Sequence, residues 1–305
     1  MMLSNSVQSS CGGVDDRQLV LWQQLLERRT GVRADTLDSD WLVKRIVTLV
    51  CELGIAEPMQ YYQQLANRPD SDPEWTRFLD TILVRDTRFF RHCESMDAVA
   101  TIWRDFQTNR CGQSGIAKPG ASSSFTAWSV GCSSGEETYS LALVLADNCF
   151  DSRNSYGVIG LDISAQAVAR ARGGIYTSTQ LMGLSQRQRD HYFDSRPSGD
   201  WIVGEQLRRH TCFVRGNVLQ LADSPQLKGA DLIYCQNLLP YFRRWQRHQL
   251  VANLVACLKP GGHLIVGPGE LASWQPPHMQ RVPARAVQIY RRGDPASELG
   301  VSEEL

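Results

Sequence analysis

The spacing of apolar residues changes about a third of the way along this chain of 305 residues. From residue 15 to about residue 109 the apolar positions recur at helical spacing, and no alternating pattern interrupts them. Beyond residue 124, short apolar runs alternate with helical stretches. The first pattern predicts an α-helical N-terminal domain. The second predicts an α/β domain with a largely parallel sheet covered by helices on both faces.

The second pattern also contains a stretch that breaks the alternation. Its predicted strands lie in the runs TAWSVG, YGVIGLD, ADLIYC and HLIVG, and its predicted helices span residues 137–145, 165–172 and 246–258. Between residues 174 and 216, however, the chain is polar and rich in turn residues, and the segment SRPSGDW has the composition of a hairpin connection. We therefore predict a small insertion at the edge of the sheet.

These differences in apolar spacing and composition divide the chain into predicted segments. We expect a disordered N-terminus at 1–14, a helical domain at 15–108, a linker rich in Gly, Ser and Pro at 109–124, an α/β domain at 125–293 with its insertion at about 175–215, and a disordered tail at 294–305. No internal repeat is visible in the sequence.

The charge balance bears on whether the protein binds nucleic acid, and the cysteine content bears on the compartment in which it works. The 32 basic residues equal the 32 acidic residues in number, so no overall field favours binding to nucleic acid. The nine cysteines are scattered and never spaced C-x-x-C, which favours reduced thiols over a disulfide framework or a zinc site. Neither an export signal nor a run of eighteen apolar residues is present. We expect a cytoplasmic protein without membrane insertion.

The stretch WSVGCSSGEETYSLAL, residues 128–143, suggests two different kinds of site. Gly131, Ser133 and Gly135 fit the G-x-S-x-G pattern, in which the serine is a nucleophile on a sharp turn. The same glycines can also form a strand-to-helix loop whose backbone approaches a nucleotide. The function depends on which interpretation holds.

The hydrolase interpretation requires further catalytic groups later in the chain. The candidates for its acid and base are Asp231, His263 and His278. His263 lies in an apolar run, where a histidine is more often a packed residue than a base. Glu136 and Glu137 directly follow the loop, and their carboxylates would repel the oxyanion of acyl transfer. These features argue against Ser133 as a nucleophile.

The nucleotide interpretation accounts for more of the pattern. Gly131 ends a predicted strand, Gly135 permits a tight turn, and a predicted helix follows at once. About thirty residues after the loop, Asp162 lies at the tip of the next predicted strand. An acid at that place can accept hydrogen bonds from the ribose hydroxyls of an adenosine ligand.

Further motifs occur in a characteristic order around this loop. They are RDTRFFRH, GGIY, RGNV, CQNLLPYF and LKPGGHLIVGPGE. As an ordered set, they resemble the CheR family of chemoreceptor glutamate methyltransferases, and the resemblance covers roughly residues 19–291. The resemblance implies an enzyme that uses S-adenosylmethionine, releases S-adenosylhomocysteine, and methylates glutamates on the cytoplasmic helices of methyl-accepting chemotaxis receptors. It also implies a helical N-terminal domain, a Rossmann-like methyltransferase domain and an inserted antiparallel β-subdomain.

The resemblance also implies roles for individual residues. Arg91 and Tyr241 would be catalytic, with Arg91 orienting a carboxylate and Tyr241 donating a hydrogen bond to the acceptor. The implied cofactor-binding residues are Arg85, Thr87, Arg91, Gly131, Glu136, Asp162, Asn217, Val218, Asn237 and Leu238. A catalytically silent receptor-binding module is a third interpretation, and the retained Arg91, Glu136, Asp162 and Tyr241 argue against it.

The chain departs from the family pattern at several positions near the site. Arg85 stands where an asparagine is common, His92 replaces an acid, Gln236 replaces a basic residue, and Arg243 replaces an acid. The second predicted helix, usually rich in basic residues, has little more than Lys44 and Arg45. These differences bear on how the substrate approaches, and they are compatible with the branch that serves type IV pilus chemosensory systems. The sequence names neither the receptor nor the oligomeric state.

Overall fold

The computed structural model describes residues 13–83, 86–111, 123–150, 154–223, 228–271 and 274–293. Apart from residues 13 and 14, the predicted disordered ends, 1–14 and 294–305, lie outside these ranges. Of the predicted linker, 109–124, residues 112–122 lie outside them, whereas residues 109–111 belong to a helix and residues 123–124 to a strand. The described residues divide into two compact units. The first comprises residues 13–83 with Tyr241–Gln246, and the second comprises residues 86–240 with 247–293.

The first unit is helical, as the apolar spacing predicts. Its helices are α1 (Asp16–Thr30), α2 (Ser39–Glu52), α3 (Pro58–Ala66) and α4 (Pro73–Ile82). Aspartates that precede three of them accept backbone hydrogen bonds in the first turn: Asp15 from Gln18, Asp38 from Trp41, and Asp72 from Glu74. Such caps satisfy N–H groups that have no partner inside the helix, and they fix where each helix begins. An aromatic cluster that includes the buried Trp22 and Phe78 forms the core.

The second unit contains the strands and the remaining helices. The strands are β1 (Ser123–Val130), β2 (Asn154–Asp162), β3 (Ile175–Tyr176), β4 (Phe193–Ser195), β5 (Trp201–Val203), β6 (Thr211–Arg215), β7 (Ala230–Cys235), β8 (Leu258–Val266), β9 (Met279–Val282) and β10 (Gln288–Arg292). The helices are α5 (Cys93–Cys111), α6 (Glu136–Asp147), α7 (Ala165–Gly173), α8 (Gln186–Tyr192), α9 (Glu205–Arg208) and α10 (Arg244–Cys257), of which α10 starts in the segment assigned to the first unit.

Within the described ranges, the strands form a large sheet of seven and a small sheet of three. The order of the large sheet is β6-β2-β1-β7-β8-β10-β9, and its first five strands are parallel. β10 runs antiparallel to both β8 and β9. The chain leaves β1 toward β2 and β6 on one side and later returns to β7 on the other. The carboxyl end of β1 is therefore the topological switch point, where open α/β sheets bind ligands.

The small sheet confirms the predicted antiparallel insertion. Its order is β3-β5-β4, and Ser195 pairs with Trp201 across the connection predicted from SRPSGDW. The predicted range of about 175–215 also takes in β6, and β6 pairs with β2 in the large sheet. A short apolar strand at a sheet edge is hard to distinguish by composition from a strand of the neighbouring insertion.

Helix α5 belongs to the second unit, although its apolar spacing placed it with the N-terminal helices. The indole N–H of the fully buried Trp103 donates to the carbonyl oxygen of Leu145 in α6 at 3.0 Å, and Gln107 donates to Asn148 at the same distance. Helical periodicity predicts that a helix forms, and does not say which core its apolar face joins.

Two further expectations can be compared with the described residues. The free thiols among them are Cys93, Cys132, Cys149, Cys212, Cys235 and Cys257. Cys51 is disulfide-bonded, so the expectation of reduced thiols is wrong at that position. None of the described helices is long and apolar enough to cross a lipid bilayer.

Candidate functional site

The glycine loop, residues 131–135, joins β1 to α6 at the switch point. Gly131 has a φ of 81° and Gly135 a φ of 98°, both in the left-handed region. A Cβ atom added to Gly135 would lie 2.9 Å from Cβ of Ala171 and 2.9 Å from the hydroxyl oxygen of Tyr176. Tyr176 also donates to the carbonyl oxygen of Ser134 at 2.7 Å. Glycine is thus required at position 135 by both conformation and space.

Asp162, at the end of β2, is brought directly to this loop. Its Oδ2 accepts the backbone N–H of Ser133 at 2.8 Å, and its Oδ1 accepts that of Ser164 at 2.9 Å. These two hydrogen bonds fix the carboxylate at the loop. The predicted association of Asp162 with the glycine loop is present in the structure.

Glu136 and Glu137, the two glutamates after the loop, contact different groups. Glu136 is 1% exposed, and its carboxylate accepts from the hydroxyl of Ser134 at 2.8 Å and from the amide of Gln180 at 3.0 Å. Burial raises the pKa of Glu136. This carboxylate therefore fixes the glycine loop to the insertion that carries Gln180.

Glu137, which was not among the predicted site residues, faces the end of β1. Its Oε1 accepts from the hydroxyl of Ser129 at 2.7 Å. Burial raises its pKa to about 8, while the charge of Arg91 acts to lower that pKa and the charge of Glu270 to raise it. Successive helix residues are rotated by about 100°, which explains why neighbouring carboxylates face different groups. Glu137 thus shares one electrostatic environment with Arg91 and Glu270.

Glu270 is a second carboxylate that sequence reasoning missed, although it ends a quoted motif. It follows β8, and its Oε1 accepts the backbone N–H of Asn237 at 2.8 Å. Burial raises its pKa to about 6 against the opposing effect of backbone N–H groups of Asn237, Gly267 and Leu239. Its Oε2 is buried and has no hydrogen-bond partner among the described residues. An acceptor in that state favours a ligand that donates a hydrogen bond.

Asn237 and Leu238 lie in the turn after β7, beside the glycine loop. Asn237 has a φ of 57°, unusual for a residue with a side chain, and its Oδ1 is 2.6 Å from Nε2 of His92. Leu238 packs against the loop, because its Cδ1 lies 3.3 Å from where a Cβ of Gly131 would be. The structure therefore places these two predicted residues together with Gly131.

The segment that carries Thr87 and Arg91 is fixed by contacts with α6 and β3. The backbone N–H of Phe90 donates to the hydroxyl of Ser140 at 3.0 Å, and the ring of the buried Phe89 lies edge-on to Tyr176 at 5.0 Å. Thr87 is partly buried. Arg85 lies outside the described residues.

Arg91 itself is paired with an exposed acid. Its guanidinium donates to the carbonyl oxygen of Asp86 at 2.6 Å and to the carboxylate of the same residue at 3.0 Å. The side chain of Asp86 is 78% exposed, so this ion pair lies in water and is weak. A ligand carboxylate can therefore compete for the guanidinium at small cost.

The remaining predicted residues lie in two places. Asn217 follows β6, where its Oδ1 accepts the backbone N–H of Leu219 at 3.0 Å, and the neighbouring Val218 is buried. Tyr241 belongs to the first unit, where its carbonyl oxygen accepts the backbone N–H of Arg33 at 2.7 Å. Their roles toward a cofactor or an acceptor remain predictions.

Two departures from the family pattern have partners of their own. Gln236 is buried, donates to the hydroxyl of Ser95 at 2.6 Å and accepts from that of Tyr234 at 3.1 Å. Arg243 forms an ion pair with Glu27 of α1 inside the first unit, and this carboxylate raises its pKa. A neutral amide and a paired cation are both satisfied in these surroundings.

The hydrolase interpretation lacks its base. Ser133 has a φ of 48°, a strain compatible with a nucleophile turn, yet its hydroxyl is buried without a hydrogen-bond partner among the described residues. His263 pairs within β8, and burial lowers its pKa to about 4. Asp231 instead accepts from Lys259 at 2.6 Å. No described contact connects Ser133 to a histidine.

Comparison with known proteins shows which family the sequence matches. The sequence profile described as "CheR methyltransferase, SAM binding domain" matches residues 85–287. The chain is 28% identical to the probable biofilm formation methyltransferase WspC of Pseudomonas aeruginosa over 274 residues, 89% of this chain and 61% of that protein. It is 28% identical to the chemotaxis protein methyltransferase of Escherichia coli over 262 residues, 85% of this chain and 84% of that protein. With the chemotaxis protein methyltransferase Cher2 of Pseudomonas putida it shares 25% identity over 288 residues, 92% of this chain and 99% of that protein.

Proposed function

Because the chain belongs to the CheR methyltransferase family, we propose that it transfers a methyl group from S-adenosylmethionine to glutamate side chains of a chemotaxis receptor. The observation that carries the proposal is the contact between Asp162 and the glycine loop at the switch point of the sheet. A nucleoside that binds there meets an acid suited to its ribose and a backbone that can approach closely.

The polar groups around this position fit the cofactor. S-adenosylmethionine carries an ammonium group and two ribose hydroxyls, all of which donate hydrogen bonds. The carboxylates of Asp162, Glu137 and Glu270 supply acceptors, and the buried Oε2 of Glu270 has no partner among the described residues. Two carboxylates with raised pKa values also favour a cation, because its charge stabilises their ionised forms. We assign Glu137, in preference to Glu136, to the cofactor.

The chemistry requires positioning more than acid–base catalysis. When bound, S-adenosylmethionine supplies a methyl group on a cationic sulfur, which a carboxylate oxygen attacks as S-adenosylhomocysteine is released. A glutamate is already ionised at neutral pH, so no base has to remove a proton. Arg91, whose present partner is an exposed aspartate, can orient the acceptor carboxylate with its planar guanidinium. Tyr241 is proposed to donate a hydrogen bond to the same acceptor.

The acceptor and its location form the finer part of the proposal. Two of the similar proteins are named chemotaxis protein methyltransferases and one a probable biofilm formation methyltransferase. We infer that this chain acts on the cytoplasmic helices of methyl-accepting receptors and works in the cytoplasm. This chain spans less than two thirds of WspC, so the partners of that longer protein are not carried over.

The proposal is tested by two measurements on the full chain. Isothermal calorimetry should detect binding of S-adenosylhomocysteine at a single site. A receptor fragment incubated with S-adenosylmethionine labelled in its methyl group should gain label that mild alkali releases, because methyl esters hydrolyse and methylated amines do not. Failure to bind S-adenosylhomocysteine would refute the cofactor assignment, and label stable to alkali would refute the glutamate acceptor.

A further inference from the structure

His92 is held in place by the helix that follows it. Its carbonyl oxygen accepts the backbone N–H groups of Ser95 and Met96 in the first turn of α5, each at 3.1 Å. Helix α5 is in turn fixed on α6 through the buried indole of Trp103. The backbone of His92 is therefore fixed, and only rotation of its side chain sets the position of the imidazole.

The imidazole contacts the amide of Asn237, which lies 145 residues away in the sequence. The distance between Nε2 and Oδ1 is 2.6 Å. A carbonyl oxygen can only accept, so His92 donates through Nε2. The other end of the amide, Nδ2, carries two hydrogens and has no hydrogen-bond partner among the described residues.

The backbone of Asn237 is fixed by a different group. Its φ of 57° is in the left-handed region, and its N–H donates to Oε1 of Glu270 at 2.8 Å. The main remaining freedom is a rotation of the side-chain amide, which would exchange its donor and acceptor ends. The hydrogen bond from His92 selects one of these two orientations.

We propose that His92 is a positioning residue that fixes the amide of Asn237 so that its N–H donors face an acceptor group of the bound cofactor. The ligand group is then a carboxylate, a hydroxyl oxygen or a ring nitrogen, all of which S-adenosylmethionine carries. The inference rests on the proposed function and adds a donor role for Asn237 and an indirect role for His92.

Three substitutions at this position separate the roles of donor, acceptor and bulk. His92→Leu removes the donor, and S-adenosylhomocysteine affinity should fall about 2- to 13-fold, the range for one neutral hydrogen bond. His92→Gln restores an N–H donor, and its affinity should stay within about twofold of wild type. His92→Glu offers only acceptors when ionised, so it should turn the amide and weaken binding at least as much as leucine. In methyl transfer, the loss should appear in KM for S-adenosylmethionine, with little change in kcat.

A matched control lies one helical turn away. Ser95→Ala removes the hydrogen bond from Gln236 to Ser95 and leaves the contact of His92 with Asn237 in place. It should lower the temperature of thermal unfolding and leave cofactor affinity unchanged. If it weakens binding as much as His92→Leu, the effect belongs to packing of α5, and the positioning role is overturned.

A double-mutant cycle tests whether His92 acts through Asn237. In an Asn237→Ala background, His92→Leu should cause no further loss of affinity, since the amide it positions is absent. A full additional loss would overturn the proposal.

If wild type fails to bind S-adenosylhomocysteine, the proposed function itself is wrong. If wild type binds and His92→Leu binds equally well, only the positioning role fails.

Discussion

Replacing Glu137 by glutamine prevents this side chain from ionising when the cofactor binds and changes little else. The glutamine amide keeps the size of the side chain and an oxygen that can accept from the hydroxyl of Ser129, as Oε1 does now at 2.7 Å. What is lost is an ionised acceptor for the cofactor. Hydrogen bonds that involve a charged group contribute about 1.5–3 kcal/mol, so affinity for S-adenosylhomocysteine should fall about 10- to 150-fold.

The pH dependence of binding gives a second signature of Glu137. Burial raises its pKa to about 8, so the carboxyl is mostly protonated at neutral pH before the cofactor binds. If the ionised form binds the cofactor, wild-type affinity should rise as pH increases toward about 8 and level off above it. Glu270, with a pKa of about 6, adds a smaller rise at lower pH. In Glu137→Gln the upper rise should be absent.

The same substitution has a predictable effect on stability in the absence of ligand. The pKa of Glu137 is raised in the folded protein from an ordinary value of 4.5 to about 8. Ionisation therefore costs more in the folded state, and this group's contribution to stability is lost as pH rises through that interval. Glutamine cannot ionise. The thermal unfolding temperature of Glu137→Gln should exceed that of wild type most clearly at and above a pH of about 8.

Glu136→Gln is the matched control for the affinity measurement and for its pH dependence. Its carboxylate is adjacent in sequence, buried and also raised in pKa, but it contacts Ser134 and Gln180. Calorimetry should find its affinity for S-adenosylhomocysteine close to that of wild type. If Glu136→Gln loses affinity while Glu137→Gln retains it, the residue implied by sequence resemblance is correct and the reasoning from the structure is refuted.

The remaining predictions concern the ribose acid, the loop serine and the acceptor side. Asp162→Ala should weaken S-adenosylhomocysteine binding by about 1–3 kcal/mol, and unchanged affinity in calorimetry would remove this acid from the site. Ser133→Ala should retain most methyl transfer, whereas loss of a measurable esterase activity in that variant would revive the hydrolase interpretation. Tyr241→Phe should lower turnover about ten- to a hundredfold with little change in cofactor affinity, and Arg91→Ala should slow turnover at least as much. The double mutant of Arg91 and Tyr241 should lose less turnover, expressed as free energy, than the sum of the two single losses. Strictly additive losses in transfer assays would assign the two side chains to separate tasks.

The regular elements could be predicted where the pattern was local. The run ADLIYC coincides with β7, and the predicted helix at 165–172 matches α7 to within one residue. Partners distant in sequence were beyond such reasoning. The apolar periodicity assigns α5 to the N-terminal domain, and this assignment is wrong. Periodicity identifies the apolar face of a helix but does not show which core covers that face. Composition assigns β6 to the insertion, because its pairing with β2 joins residues about fifty positions apart and no local pattern shows it.

The candidate site shows the same limit at the scale of single side chains. Asp162 could be placed beside the glycine loop because strand order and spacing define where the ends of parallel strands meet. Glu136 and Glu137 look equivalent in sequence, and only the helix direction and the position of Ser129 distinguish them. The contact between His92 and Asn237 depends on where α5 packs, and no local pattern contains that information.

The central position of β1 has a consequence for how the chain is made. One side of this strand pairs with β2, which follows soon after it, but the other side pairs with β7. The backbone N–H of Thr126 reaches its acceptor, the carboxylate of Asp231, across 105 residues. At ordinary rates of synthesis this stretch takes roughly 5–20 s to emerge from the ribosome. During that interval β1, an interior strand of the finished sheet, has an unpaired edge, which makes the nascent chain most prone to aggregation before residue 235 has been added.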